Sequence, residues 1–155
     1  MLYNNVINEI LDKLCINIGK PDLVLDSVNE MELEHIYDLK LLGIKAIILD
    51  VDDTLRTNMG SIPAINREWI NMINNNFKVI VLSNGKDYRI EKYFKSLGIT
   101  YISLANKPLK KNFIVALDHL ETKPSETLFI GNDIIADIYG AKRNDIKTAY
   151  VKKYK

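Results

Sequence analysis

The amino-acid sequence predicts an α/β domain in three layers, with helices covering both faces of a mostly parallel central sheet. Three observations predict it. Short apolar, β-branched runs alternate with helix-length segments from Lys45 to Val151. Glycine and proline punctuate the helix-length segments near their ends. Polar residues gather where the apolar runs stop.

Each element follows from its own residues. Lys45 to Leu49 (Lys-Ala-Ile-Ile-Leu) is a short apolar run ending in acids, the pattern of a buried strand. Ala64 to Asn76, after Pro63, reads as a helix, and Phe77 to Leu82 as a second strand. Asp87 to Leu97 is a helix stopped by Gly98, and Thr100 to Leu104 a third strand. Pro108 to Leu120 is a helix with proline near its first turn. Thr127 to Ile130 is a fourth strand, Ile134 to Arg143 a helix and Lys147 to Val151 a fifth strand. Strands alternating with helices imply right-handed βαβ units. Upstream, Asp22 to Leu42 is mixed, with a short helix near Glu32 to Leu41 ended by Gly43. Asn5 to Leu14 places Val6, Ile7, Ile10, Leu11 and Leu14 on one helical face. Residues 1–19 therefore form a helical extension, and residues 20–155 the main domain.

Composition narrows the function classes. The chain has 155 residues, 47% apolar and 26% charged, with a net charge of +1. That balance suits one soluble domain and gives no field to attract nucleic acid. Cys15 is the single cysteine, so no internal disulfide is expected. Met1 to Lys20 lacks the apolar run of a signal peptide, and no segment approaches the ~20 apolar residues of a membrane span. A cytoplasmic location is expected. No Gly-x-x-x-x-Gly-Lys-Ser/Thr or Gly-x-Gly-x-x-Gly pattern occurs, which removes the P-loop and dinucleotide readings.

In parallel sheets ligands bind at the carboxyl ends of the strands. Four segments bring functional groups there: Asp50, Asp52 and Thr54; Ser83 and Asn84; Lys107; and Asn132, Asp133 and Asp137. Carboxylates crowded at one edge repel each other and need a cation. Mg²⁺ suits, because it takes hard oxygen ligands alongside substrate phosphate. Phosphoryl transfer also needs positive charge and donors on the phosphate oxygens. Lys107 offers the charge; Ser83, Thr54 and the backbone near Asn84 offer donors. Asp50 fits a nucleophile and Asp52 a general acid/base, a role worth roughly 10²–10⁴-fold. Asp53 reads as a turn residue, Trp69 as core, and His35 and His119 as surface or helix-packing residues.

The apolar run followed by Asp50-Val51-Asp52-Asp53-Thr54-Leu55 resembles the first motif of the haloacid dehalogenase (HAD) superfamily. Val79-Ile80-Val81-Leu82-Ser83-Asn84 resembles the second, Lys107-Pro108 the third, and Gly131-Asn132-Asp133 with Asp137 the fourth. Within it, the sequence is similar to the YqeG-like, type IIIA phosphatases from about Lys20 to Val151. The resemblance implies a Rossmann-like fold, Asp50 as nucleophile and Asp52 as acid/base that also binds Mg²⁺ through its carbonyl. It places Ser83 and Lys107 on the phosphate and the fourth-motif acid on the metal. The gaps between motifs, roughly 25 residues each, hold a loop and a helix but no cap domain. An open site admits a bulky or membrane-borne substrate, and phosphatidylglycerophosphate is a candidate because relatives act on it. Peripheral membrane contact by the N-terminal helix and an oligomeric state are compatible with this reading. The fourth motif departs from Gly-Asp-x-x-x-x-Asp by carrying Asn132 in place of its first Asp. Asn132 and Asp133 both stand as metal ligands, Asp133 slightly favoured by charge, with Asp137 completing the site. The chain ends at Lys155, earlier than such relatives.

Two other classes compete. A receiver-type phospho-acceptor also uses acids, a hydroxyl and a lysine, but carries its acceptor Asp after the third strand. Here that strand ends in Ala105-Asn106. A non-catalytic phosphate-binding scaffold would be consistent with Asn132.

Overall fold

The computed structural model describes residues 20–152. The predicted N-terminal extension, its amphipathic face and its membrane role lie outside the described residues.

Among the described residues six strands form one all-parallel sheet: β1 (Leu23–Leu25), β2 (Ala46–Leu49), β3 (Lys78–Leu82), β4 (Thr100–Ile102), β5 (Thr127–Gly131) and β6 (Lys147–Val151). Their spatial order is β1-β6-β5-β2-β3-β4. The helices are α1 (Leu33–Leu41), α2 (Ala64–Asn76), α3 (Tyr88–Ser96), α4 (Lys110–Leu120) and a short α5 (Gly140–Lys142). A π-helical segment, Ile134–Tyr139, leads into α5.

The three-layer expectation holds, and strand parity explains it. Successive strand residues point to opposite faces. Ile47, Leu49, Val79, Val81, Leu128 and Ile130 turn one way, into a core with Ile36 of α1, Trp69, Ile70 and Ile73 of α2, and Ile90 and Phe94 of α3. Ala46, Ile48, Ile80, Leu82 and Phe129 turn the other way, against Phe113, Ala116 and Leu120 of α4 and Ala141 of α5. All four residues of β2 are buried, as a central parallel strand requires. Trp69 is core as expected, and its indole N–H donates to the Met31 carbonyl at 3.1 Å.

One element was not expected. The mixed upstream segment contains a sixth strand, β1, paired with β6 from Leu23↔Ala149 to Leu25↔Val151. Asp22 locks this pairing. Its carboxylate accepts from the Thr148 backbone N–H at 2.8 Å and from the Thr148 hydroxyl at 3.1 Å.

After β1 at the edge, the chain enters the centre with β2 and steps outward through β3 and β4. It then returns to β5 on the other side of β2. The switch point lies between β2 and β5, where open α/β sheets place their ligands. Leu49 pairs with Ile130, and the Asp50 N–H donates to the Ile130 carbonyl at 3.0 Å. Asp50 and the loop after β5 thus meet side by side. From Leu49 to Lys78 the chain holds a loop and α2, and from Leu82 to Lys107 it holds α3, β4 and their loops.

Candidate active site

Asp50 follows β2 and is nearly buried, with 10% of its side chain exposed. Its Oδ1 accepts from Lys107 Nζ at 2.8 Å and its Oδ2 from the Thr54 hydroxyl at 2.8 Å. Lys107 also donates to Asp137 Oδ1 at 2.6 Å. The other oxygen of Asp137 accepts from the backbone N–H groups of Asn132 and Asp133, both at 3.1 Å. Lys107 Nζ stands over the Phe129 ring, 5.4 Å from its centre, a cation–π contact. Its backbone is clamped by Asn84, whose amide accepts from the Lys107 N–H at 2.7 Å and donates to the Lys107 carbonyl at 3.2 Å. The Lys107–Pro108 peptide is cis.

One ammonium thus lies between two buried carboxylates. Burial pulls the Lys107 pKa down, but the charges of Asp137 and Asp50 outweigh it and the group is held above its ordinary value. Asp137 moves up to about 7, because burial and the Asp50 charge together exceed the help of Lys107. The cluster carries one negative charge too many.

The π-helical turn has a local cause. Asp133 Oδ1 caps it, accepting from Ile135 and Ala136 N–H at 2.9 and 2.8 Å. The Asp133 carbonyl then receives both the Asp137 and Ile138 N–H groups, at 3.0 and 3.1 Å. The widened coil turns Asp137 back beneath the loop that holds it, as such segments often do at functional sites. Gly131 leaves the necessary room, since a Cβ there would overlap the Asp137 carboxyl, with its Cγ at 2.6 Å. Gly131→Ala is expected to lower stability by about 1–3 kcal/mol through overpacking, measured by urea unfolding; an unchanged midpoint would show that Asp137 can move freely.

Asn132 supplies the other half of the corner. One amide position of Asn132 stands 3.2 Å from Asp50 Oδ2 and 3.1 Å from the Asp52 carbonyl oxygen. With nitrogen there, it donates to both. With Oδ1 there, three oxygens converge on one point, an arrangement that suits a cation. In that orientation Oδ1 also lies 3.4 Å from the Thr54 hydroxyl. Among the described residues no three His, Cys, Asp or Glu side chains gather around one point. The donor set is instead a carboxylate, a carbonyl and an amide, all hard oxygens of the kind Mg²⁺ prefers. The residues present therefore fit Mg²⁺. It is Asn132 whose side chain reaches this corner, while Asp133 is exposed and occupied as a helix cap.

Asp52 is more open, with 32% of its side chain exposed. Its Oδ1 accepts from Arg56 Nε at 2.9 Å. Its Oδ2 lies over Gly85, 3.4 Å from where a Cβ would stand; the Ser83 hydroxyl oxygen is 3.8 Å from the same point. Ser83 is buried, and its hydroxyl accepts from the Gly85 N–H at 3.2 Å. The structure thus groups Asp50, Thr54, Lys107, Asp137 and Asn132 directly, and brings Asp52 and Ser83 alongside. Asn84 contributes its side chain to Lys107. Arg56 and its second partner Asp87 are absent from the sequence reading, because no motif spacing marks them. The available signal is a lone arginine in a loop otherwise closed by Leu55 and Ile62.

Fold and site together define a Rossmann-like α/β domain that gathers acids and a buried lysine at its switch point. No family model matches the chain. The chain is 32% identical over 117 residues to the Bacillus subtilis (strain 168) protein named "Probable phosphatase YqeG", covering 73% of this chain and 67% of that one. It is 22% identical over 118 residues to glyceraldehyde 3-phosphate phosphatase of Pyrococcus furiosus, spanning 70% of this chain but only 49% of that enzyme. Among solved structures, a HAD family enzyme of Bacteroides thetaiotaomicron, in complex with magnesium and inorganic phosphate, matches the fold with a TM-score of 0.59 at 14% identity. That match covers 73% of this chain and 96% of the other. The chain belongs to the family of the YqeG phosphatases, and its fold is that of HAD-family enzymes.

Proposed function

We propose that the protein is a Mg²⁺-dependent, capless phosphomonoesterase that works through an aspartyl-phosphate on Asp50. The observation that carries this reading is the position of the Asp50 carboxylate. One of its oxygens rests on Lys107, and the other stands at the corner made with Asp52 O and Asn132. Asp50 Oδ2, the Asp52 carbonyl and Asn132 Oδ1 would hold the metal, which supplies charge for the phosphate oxygens when bound. A divalent ion there would also offset the surplus negative charge of Asp50 and Asp137.

The protein's own groups complete the reaction. Asp50 attacks phosphorus, the ester P–O bond breaks, and the leaving oxygen takes a proton from Asp52. Water then attacks phosphorus, Asp52 takes its proton, and the Asp50–phosphorus bond breaks. Lys107 and the Ser83 hydroxyl, with the Thr54 hydroxyl and the N–H groups near Asn84, are assigned to the phosphate. Asp137 is assigned to holding Lys107, with both its oxygens already engaged.

Borohydride reduction during turnover tests this. An acyl phosphate on Asp50 is reduced to homoserine, which peptide mass spectrometry locates. Turnover without homoserine at position 50 would refute the assignment.

Asn132 tunes the metal corner. Asn132→Asp adds a charge beside Asp50 and is expected to tighten Mg²⁺ binding by roughly 10-fold, while lowering the Tm of the metal-free protein through carboxylate repulsion. Isothermal titration and a chelator-treated melt check both signs.

A bulky or lipid phosphate, with phosphatidylglycerophosphate as the candidate, is the proposed substrate class. Exposed Met59, Tyr88, Leu104 and Leu109 support it, as all lie on loops or first turns that follow strand ends. Among the described residues no helix is long and apolar enough to cross a membrane. A cytoplasmic enzyme meeting its substrate at a surface is consistent with that. Hydrolysis rates across lipid, nucleotide and sugar phosphates decide the class.

A further inference from the structure

Arg56 has the largest fully buried side chain among the described residues, yet no step of the proposed reaction uses it. A buried guanidinium is costly unless its donors are met by charge and geometry. Here they are met on three sides. Nε donates to Asp52 Oδ1, and Nη1 donates to Asp87 Oδ2 and to the Gly60 carbonyl, all at 2.9 Å. The backbone closes around the same residue, with the Asp53 N–H donating to the Arg56 carbonyl at 2.7 Å. Asp87 is itself fixed as the N-cap of α3, accepting from the Arg89 N–H at 2.9 Å.

The consequence falls on Asp52. Its carboxylate sits on a half-open loop, and the lysine of the site is committed to Asp50 and Asp137. Arg56 is what holds it. The contact takes Oδ1 alone and leaves Oδ2 over Gly85, beside the Ser83 hydroxyl. A general acid needs one oxygen held at the leaving group and free to carry the proton. A planar guanidinium bonded on several sides fixes that direction better than an ammonium can.

We propose that Arg56, anchored by Asp87, is a positioning residue that aims the Asp52 Oδ2 at the leaving-group oxygen. This rests on the assignment of Asp52 as acid/base. It ties the first turn of α3 to the proton-transfer step.

The test compares kcat/KM for p-nitrophenyl phosphate and glycerol 3-phosphate in Mg²⁺. The aryl leaving group departs with little protonation, whereas the alkyl one needs the acid. Wild-type turnover lost in Asp50→Asn establishes the underlying reaction first; without it, that reading and this one fall together. Arg56→Gln is then expected to lower the alkyl rate roughly 10-fold more than the aryl rate. Arg56→Lys should recover part of that selectivity. On an Asp52→Asn background, Arg56→Gln should add nothing to it. Asp87→Asn, which keeps the helix cap, should shift the alkyl-to-aryl ratio in the same direction and serves if Arg56→Gln does not fold. Equal losses on both esters, or the same selectivity loss on the Asp52→Asn background, would overturn the proposal while leaving the phosphatase reading intact. So would an unmoved ratio in Asp87→Asn.

Discussion

Asp50→Asn is expected to reduce Mg²⁺-dependent hydrolysis by at least about 10³-fold, with the fold intact. The amide is a poor nucleophile, and one of the three oxygens at the cation corner loses its charge. The structural effect has the opposite sign. Asp50 contributes to raising Asp137, and Lys107 keeps its bond to Asp137 when Asp50 becomes neutral. The excess negative charge disappears, so the Tm of the metal-free variant should equal or exceed that of the wild type. Steady-state kinetics with p-nitrophenyl phosphate and a chelator-treated melt read the two effects separately. Retained turnover would exclude Asp50 as the nucleophile.

Lys107→Met is expected to be the most destabilising change in the site. It leaves two carboxylates facing each other in a dry pocket, and removing one partner of a buried pair costs about 3–5 kcal/mol. For a domain of this size that lowers Tm by about 10 °C. The loss should depend on pH. In the wild type burial and Asp50 already hold Asp137 at about 7, above the 3.8 of a free carboxyl. Without the ammonium it rises further. A raised carboxyl stabilises the fold when protonated, fully below its unfolded pKa, and that stabilisation fades as pH rises through the folded pKa. The Tm deficit of Lys107→Met should therefore stay level below pH about 7, where both native states hold the Asp137 proton, and grow as pH rises above it. Calorimetry without added metal measures it, and a deficit that does not vary with pH would show that Asp137 does not take up the proton.

How much of this is legible in the sequence depends on which contacts set each feature. β2, β3 and β5 are legible because strands buried on both faces need continuous apolar sequence, and Ala46–Leu49 shows it plainly. β1 is not legible, because at the sheet edge only Leu25 of its three residues is buried. Its register comes instead from Asp22 and Thr148, 126 positions apart. The acids and Lys107 stand out because they punctuate apolar runs. The division of labour between Asn132 and Asp133 does not, since charge favours one residue and the capping need of the following turn claims it. Arg56 is hidden for a similar reason: its meaning lies in Asp87, 31 positions away, and nothing local announces the pair.

The pairing of β1 with β6 also bears on how the chain is made. A ribosome releases β1 first of the six described strands and β6, its partner among the described residues, last. During synthesis Leu23 to Leu25 must wait, unpaired, until Ala149 to Val151 have emerged, while β2 and β3 can already associate. The sheet therefore closes only after β6 has emerged, sealed by Asp22 on Thr148. A nascent chain stalled before Lys147 should expose the outer edge of β5, and that edge is where a chaperone or a neighbouring nascent chain would first take hold.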